Sequence, residues 1–135
     1  MQRSEIREKL SKHGVQPTAQ RMEVACVLLD KPQHLSAEQI IDRLRRQDSK
    51  ISKATVYNTL NIFKKVGLVK ERLVDPERRF FDSTTEPHHH FFNEDTGELS
   101  DIPLDALEVS ALPPLPDGTE FLASELVIRV RNSTA

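Results

Sequence analysis

Apolar residues recur at three- and four-residue steps through the first half of the chain, which is the pattern of amphipathic helices. Ile6 and Leu10 share one face of a short first helix that we expect to stop at Gly14. A second helix is predicted from its N-cap, Thr18, to Pro32, because proline cannot continue a helix. Its apolar positions are Met22, Ala25, Cys26 and Leu29.

Two further helices begin at recognisable N-caps. Ser36 followed by Gln39 is the capping-box pattern, in which each side chain accepts a hydrogen bond from the other residue's backbone N–H. The fourth helix is predicted from its N-cap, Ser52, to Gly67, which can adopt the backbone conformation that ends a helix. The apolar positions of these two helices are Ile40, Ile41, Leu44, Val56, Leu60 and Phe63.

A β-hairpin is predicted after the fourth helix. Residues 68–74 form its first strand, Asp75-Pro76-Glu77 its turn and residues 78–82 its second strand. The basic residues on or near this hairpin are Lys70, Arg72, Arg78 and Arg79. Helices followed by a basic hairpin predict a winged-helix domain over residues 1–82.

The rest of the chain, residues 83–135, predicts a second, small domain. Its predicted elements are strands at 88–92, 98–102 and 121–131 and a short helix at 103–111. Leu126, Ile128 and Val130 lie on one apolar face of the last strand. About 50 residues seldom bury enough surface to fold alone, so we expect this domain to pair with a second copy of itself. The predicted fold class is α+β, with an N-terminal winged-helix DNA-binding domain and a C-terminal α/β dimerisation domain.

Charge divides the two halves of the 135-residue chain. Up to Asp82, 17 Lys and Arg residues oppose 11 Asp and Glu residues, a net charge of +6; from Ser83 onward 2 oppose 10, a net charge of −8. A basic helical half suits a polyanion such as DNA, whereas an acidic, histidine-rich half suits metal cations or a partner chain. Uneven scatter of surface charge is the alternative explanation.

Several classes of protein are excluded or disfavoured by composition. No apolar run reaches the length of a membrane span, and the first residues lack the apolar stretch of a secretory signal, so we expect a cytoplasmic protein that does not enter membranes. The single cysteine, Cys26, cannot form an internal disulfide or a Cys-x-x-Cys zinc site. The sequence has no nucleophile triad, phosphate-binding glycine loop or His-Glu-x-x-His motif, so we do not expect an enzyme.

The outer face of the fourth helix carries the first candidate chemistry. Lys53, Tyr57, Asn61 and Lys64 recur at helical steps and form one solvent-facing stripe, with Asn58 and Lys65 beside it. Lysines can neutralise phosphates, while Asn and Tyr can hydrogen-bond phosphates or base edges, so this face suits a DNA major groove. An ordinary solvated helix face could show the same residues.

Consecutive histidines carry the second candidate chemistry. In a strand, His88 and His90 point to one face and His89 to the other. Two imidazoles at this spacing can bind one divalent ion, and Asp82 and Asp101 lie close enough in sequence to complete a site for Zn, Mn or Fe. A surface histidine patch without a metal is the alternative.

Four segments of the chain resemble the ferric uptake regulator (Fur) superfamily: residues 14–21, 34–38, 54–60 and 67–69. The resemblance covers about residues 4–131 and implies a homodimeric winged-helix repressor that binds a double-stranded DNA operator. It places a DNA-contacting tyrosine at Tyr57. The predicted DNA-binding residues are Lys53, Thr55, Tyr57, Asn58, Asn61, Arg21, Arg78 and Arg79.

The ligands of the peroxide-sensing branch have the spacing found here in His34, Asp82, His88, His90 and Asp101, so the resemblance implies one regulatory Fe, Mn or Zn ion between the domains.

The chain departs from the family pattern in two ways that bear on its metal sites and on its branch of the family. Asn93 and Thr96 stand where the first Cys-x-x-Cys pair of the family's structural zinc would be, and the tail carries no second pair. Residues 87–92, 94–99 and 101–103 are instead similar to the iron response regulator (Irr) branch, which senses iron through haem. That similarity implies haem binding by His88, His89 and His90, although the Cys-Pro haem motif of some members is missing because Val27 follows Cys26.

We therefore expect a metal-responsive, Irr-like transcriptional regulator of iron or haem homeostasis genes. A peroxide sensor that uses the same five ligands for Fe or Mn is the alternative within the superfamily. A metal-carrier protein without DNA binding is the alternative from another class, and sequence-specific DNA binding distinguishes it from a regulator.

Overall fold

The protein is described by a computed structural model that covers residues 1–134 except Pro76, Pro87 and Leu104, and that leaves out the side chains of Asp75 and Arg78. The chain divides into two compact units, Met1–Thr85 and Glu86–Ala135. The elements of the first unit are α1 (Arg3–Lys12), α2 (Ala19–Leu28), β1 (His34–Ser36), α3 (Ala37–Arg46), α4 (Lys53–Lys65), β2 (Lys70–Asp75) and β3 (Arg78–Asp82). The four predicted helices are confirmed.

Local caps explain where these helices begin. The Ser36 hydroxyl accepts from the Gln39 N–H at 3.1 Å while the Gln39 side chain accepts from the Ser36 N–H at 2.9 Å, which completes the predicted capping box of α3. Ser52 caps α4 by accepting from the Thr55 N–H at 3.1 Å. Gly67 has φ +79°, a conformation that glycine adopts without steric cost, and it follows the last turn of α4.

The end of α2 differs from the prediction, because the helix stops at Leu28 rather than at Pro32. The Gln33 side chain donates hydrogen bonds to the carbonyl oxygens of Val27 at 2.8 Å and Leu28 at 3.1 Å. A side chain from beyond the helix thus satisfies carbonyl groups of the last turn, and the helix ends before the proline is reached.

The first unit is a winged helix built around one apolar core. Its sheet has the strand order β1-β3-β2 with antiparallel pairing, so β3 is the central strand. Leu35 and Phe81, which are register partners, belong to the same buried cluster as the apolar faces of the helices. The fully buried residues of α4 are Val56, Leu60 and Phe63, as predicted.

The second unit contains a three-stranded mixed sheet. Its strands are β4 (His90–Asn93), β5 (Leu99–Asp101) and β6 (Val127–Val130). The strand order is β5-β4-β6, with β5 antiparallel and β6 parallel to the central β4. Phe92, Leu99 and Ile102 are the buried apolar residues on the described part of this unit.

Two predictions for the second unit are wrong. The described residues of 103–111 form a turn followed by irregular backbone rather than a helix, and Val109 is exposed. A single short helix gains little without an apolar face to bury, so periodicity alone does not stabilise one here. The last strand is limited to Val127–Val130, because β4 offers only four residues for pairing, and Leu122 is 95% exposed. No helix in the described residues is long and apolar enough to cross a membrane.

Candidate functional site

The outer face of α4 is exposed over its whole length. The exposed residues on this face are Lys53, Tyr57, Asn58, Asn61, Lys64 and Lys65. Thr55 is half-buried, and its hydroxyl lies 2.8 Å from the Ser52 hydroxyl at the helix N-terminus. The face therefore presents cations together with amide and phenol groups, which are the residue types that contact phosphates and base edges.

Tyr57 is held by a residue of the preceding helix. Its hydroxyl donates a hydrogen bond to the Glu38 carboxylate at 2.7 Å, although the tyrosine is 42% exposed. The hydrogen bond to the carboxylate and then partial burial raise the pKa of Tyr57 above its ordinary value of 10.0. The phenol thus has one preferred position on the outer face of α4.

One cation of α4 and one of the wing are partly neutralised by the same carboxylate. Lys64 Nζ lies 3.0 Å from Glu71 Oε2, and Arg79 Nε lies 3.7 Å from Glu71 Oε1, so both cations share one carboxylate of β2. The predicted contact from Arg78 lies outside the described side chains. Arg21 is half-buried and donates to the Gln16 carbonyl at 3.2 Å.

In the first unit, His34 and Asp82 lie side by side. They are register partners on β1 and β3, so their side chains emerge from the same face of the sheet. Leu35 and Phe81, one position along each strand, face the apolar core. His34 and Asp82 therefore lie on the opposite face of the sheet, where an imidazole and a carboxylate are adjacent.

In the second unit, His88, His90 and Asp101 converge. The Nε2 atoms of His88 and His90 lie 2.8 Å and 3.3 Å from the same Asp101 oxygen, Oδ1, and the two ring centroids are 4.2 Å apart. His90 and Asp101 are register partners on β4 and β5, which explains why their side chains meet. Both histidine rings are buried, whereas Asp101 is exposed.

The hydrogen bonding of His88 suits a metal ligand. Its Nδ1 lies 2.7 Å from the Glu86 carbonyl oxygen, and a carbonyl can only accept, so Nδ1 carries a proton. In the neutral ring the lone pair then belongs to Nε2, the atom that points at Asp101. A ligand histidine is commonly fixed by such a bond from its other nitrogen. Two imidazoles and a carboxylate directed at one point fit a divalent Fe, Mn or Zn ion.

His89 has a different role from its neighbours. Its Nδ1 accepts a hydrogen bond from the Leu126 N–H at 2.8 Å, which joins β4 to the residue before β6. The triplet therefore does not act as three equivalent ligands. The two members of the triplet that converge on Asp101 are His88 and His90.

Sequence reasoning missed two residues that contact the candidate sites. Glu38 was not identified as the partner of Tyr57, because 19 residues separate them and only helix packing brings them together. Arg72 was counted among the wing cations, yet it is buried and its Nε lies 3.3 Å from Asp82 Oδ2. Strand alternation was the available signal, since it places Arg72 on the same sheet face as its register partner Phe80 and hence as Asp82.

The positions at which the Cys-x-x-Cys pair is replaced form a closed turn. Asn93 Oδ1 accepts from the backbone N–H groups of Asp95 at 2.9 Å and Thr96 at 3.1 Å. Asn93 Nδ2 donates to Asn132 Oδ1 at 2.9 Å, and the Asn132 N–H donates to Asp95 Oδ2 at 2.9 Å. Amide and carboxylate groups thus connect this turn to the residues after β6.

Two comparisons with solved structures establish the fold. The ferric uptake regulator from Pseudomonas aeruginosa with manganese is 24% identical, with a TM-score of 0.67 over 94% of this chain and 97% of that one. The ferric uptake regulator of Vibrio cholerae is 22% identical, with a TM-score of 0.72 over 93% of this chain and 98% of that one.

Sequence comparison identifies the family. A peroxide-responsive repressor of Staphylococcus epidermidis is 36% identical over 93 residues, which are 69% of this chain and 62% of that protein, so the match spans less than two thirds of the relative. The sequence profile of the ferric uptake regulator family matches residues 12–113, well over half of the chain. This chain therefore belongs to the ferric uptake regulator family.

Proposed function

We propose that the protein is a metal-responsive, DNA-binding transcriptional regulator that works in the cytoplasm as a homodimer, and that it is not an enzyme. The observation that carries this proposal is the exposed face of α4 in a winged helix of this family, where Tyr57 is held in place among lysine and asparagine side chains. We assign operator contact to Lys53, Thr55, Tyr57, Asn58, Asn61, Arg21, Arg78 and Arg79.

We further propose that His34, Asp82, His88, His90 and Asp101 bind one divalent ion. The pairing of His34 with Asp82 in the first unit and the convergence of the other three in the second unit support this assignment. The ferric uptake regulator from Pseudomonas aeruginosa was solved with manganese, which supports Fe, Mn or Zn as the ion. Because the ligands come from both units, metal binding would bias their arrangement, and by linkage the metal and operator affinities must be coupled equally in both directions.

The homodimer is supported by an apolar strand face. Leu126, Ile128 and Val130 alternate along the chain and are all exposed, and Phe91 is exposed beside its register partner Ile128. Among the described strands, β6 pairs only with β4, so its other edge can accept a strand of a second copy.

Two physiological signals, iron status and peroxide, are each favoured by a different observation. The histidine triplet favours iron-dependent regulation of iron or haem genes, as in the Irr branch. The 36% identity to a peroxide-responsive repressor favours a peroxide sensor that binds Fe or Mn through the same five ligands.

DNA selection tests the regulator proposal. The protein, purified without an affinity tag, is incubated with a random duplex library in Mn(II) or in chelator, and the bound sequences are determined. We expect enrichment of one two-fold symmetric site, with different affinities in the two conditions. Salt-dependent binding without enrichment would identify only nonspecific contact, and no binding would favour the metal-carrier alternative.

Chemical modification separates the two signals. A peroxide sensor requires that the Fe(II) form incorporate oxygen at a ligand such as His34 or His88, which mass spectrometry of peptides detects. Irr-like haem sensing requires a haem absorbance change that disappears in the His88→Ala/His89→Ala/His90→Ala variant. A haem titration unaffected by loss of all three side chains would remove the haem hypothesis and leave the five-ligand metal site untouched.

A further inference from the structure

Arg72 is a buried cation beside a proposed metal ligand. The residue is only 6% exposed and Asp82 is 1% exposed, and Arg72 Nε lies 3.3 Å from Asp82 Oδ2. Arginine is seldom buried without a specific partner, and its guanidinium does not lose its proton in proteins. A permanent positive charge therefore lies against the carboxylate that the first unit would offer to a divalent ion.

A second set of bonds ties this ion pair to the backbone. Arg72 Nη2 donates to the Thr84 carbonyl at 3.1 Å, and the Thr84 N–H donates to Asp82 Oδ1 at 2.8 Å. Arg72, Asp82 and Thr84 thus form a closed ring, and Thr84 is the penultimate residue of the first unit. Each carboxylate oxygen of Asp82 accepts a bond from this ring, which fixes the side-chain orientation without a metal.

The ring leaves the carboxylate able to bind a cation. A carboxylate offers about four lone-pair positions, so contacts from Arg72 and Thr84 do not prevent coordination. The guanidinium charge, however, repels a dication that shares the same carboxylate, and Coulomb interactions are strong where both groups are shielded from water. The same bonds also lower the electron density that Asp82 can donate.

We propose that Arg72 is the resident counter-cation of the metal site, which orients Asp82 and lowers its affinity for divalent ions so that the site responds to metal concentration instead of remaining permanently filled. This inference rests on the proposed function, because it takes Asp82 as a ligand. Arg72 acts through Asp82 and is a positioning residue, not a ligand.

The direction of the effect distinguishes this role from a structural one. A residue that only supports the fold would weaken metal binding when replaced. Loss of a repelling charge should strengthen it, and Arg72→Gln should bind Mn(II) about tenfold or more tightly than the wild type. Arg72→Lys keeps the charge, so its affinity should stay within about threefold of the wild type.

Mn(II) titration of the full chain measures these affinities, with the electron paramagnetic resonance signal of the aqua ion reporting free metal. Arg46→Gln is the matched control, since it removes an exposed arginine that pairs with Asp42 within α3. Its Mn(II) affinity should equal that of the wild type. Weaker or unchanged binding by Arg72→Gln, or equal tightening by Arg72→Lys, would overturn the inference.

Two further measurements test the inference in case Arg72→Gln does not fold or Asp82 is not a ligand. If Arg72→Gln is unfolded without metal, circular dichroism should show that it refolds as Mn(II) is added, because tighter binding stabilises the native state by linkage; failure to refold would overturn the inference. Asp82→Asn tests the underlying site. If it binds Mn(II) as well as the wild type, Asp82 is not a ligand and both proposals fail, whereas weakened binding in Asp82→Asn with an unchanged Arg72→Gln removes only the role of Arg72.

Discussion

The hydroxyl of Tyr57 donates to the carboxylate of Glu38 at 2.7 Å, across the packing of α4 against α3. A phenol has one hydrogen to donate, so while this bond persists the Tyr57 oxygen can only accept a bond from DNA. Amino groups of adenine and cytosine are the donors that a major groove offers to such an acceptor. If Tyr57 contacts the operator as proposed, Glu38 would restrict which base edges the phenol oxygen can contact.

The first prediction concerns the ionisation of Tyr57. It is the only tyrosine, and the chain has no tryptophan, so phenolate absorbance reports this residue alone. Glu38 raises its pKa, so Glu38→Ala should move the titration midpoint down toward 10.0. A raised pKa means that the bond stabilises the native state below the unfolded pKa and that this contribution is lost as pH rises through the native one. Asp42→Ala, one turn further along α3, is the control and should leave the midpoint unchanged; equal midpoints in Glu38→Ala and the wild type would contradict the assignment.

The second prediction concerns operator discrimination. Tyr57→Ala should reduce the preference for the selected site over random DNA by about 0.5–1.5 kcal/mol, the net range of one hydrogen bond. Glu38→Ala should lose part of that preference in the wild-type background and add little to Tyr57→Phe, because Glu38 acts through the hydroxyl. Fluorescence anisotropy measures the binding of the single and double variants to the selected site and to random DNA, which completes a double-mutant cycle. Additive losses would show that Glu38 acts independently of Tyr57.

A third prediction concerns phosphate contact by the wing. Arg79→Gln should weaken binding to all duplexes alike and lower the slope of log affinity against log salt by about one unit. Lys12→Gln removes an exposed cation of α1 that pairs with Glu8 and is the control with an unchanged slope. A loss confined to the selected operator would indicate that Arg79 reads bases.

The fourth prediction separates neighbouring histidines. His90→Ala removes a proposed ligand and should weaken Zn(II) binding by at least about tenfold, as loss of ligand or supporting contacts typically does. His89→Ala should leave this affinity nearly unchanged and instead loosen the pairing of β4 with β6, since His89 bonds the Leu126 N–H. Competition with a chromophoric chelator measures both, and equal losses would contradict the division of roles within the triplet.

The fifth prediction is that the dimer persists without zinc. Exhaustive chelation should leave a folded dimer in sedimentation experiments, because apolar burial across the joined sheets supplies its stability. Ile128→Asp places a charge on the exposed apolar face of β6 and should weaken dimerisation by at least about tenfold. Arg131→Ser, one residue beyond β6, should dimerise normally. Dissociation of the wild type on chelation would show that metal holds the dimer together.

Local signals predicted the four helices and the hairpin of the first unit but not its strand β1, and much less of the second unit. The capping box at Ser36 acts within four residues, so the sequence alone contains the whole interaction. Val109, Leu112 and Leu115 are exposed, and no pattern in the sequence can report whether a surface exists to bury them.

Residue type and spacing predicted His88, His90, Asp82 and Asp101 as candidate ligands, and the family resemblance added His34. Neither predicted their supporting contacts. Arg72 meets Asp82 across the hairpin of β2 and β3, on the sheet face that it shares with its register partner Phe80. Glu38 reaches Tyr57 only after two helices pack. Contacts of this kind depend on tertiary structure, so the burial of one arginine of the wing was missed.

The turn closed by Asn93 has a consequence for how the protein meets oxidative stress. Thiolates that hold a metal are nucleophiles and are oxidised by peroxide, whereas a carboxamide neither ionises nor reacts in this way. Asn93 accepts hydrogen bonds from the Asp95 and Thr96 N–H groups and donates one to Asn132, and none of these bonds depends on a thiol or on zinc. An oxidant that inactivates other proteins by attacking cysteine would find no target in this turn.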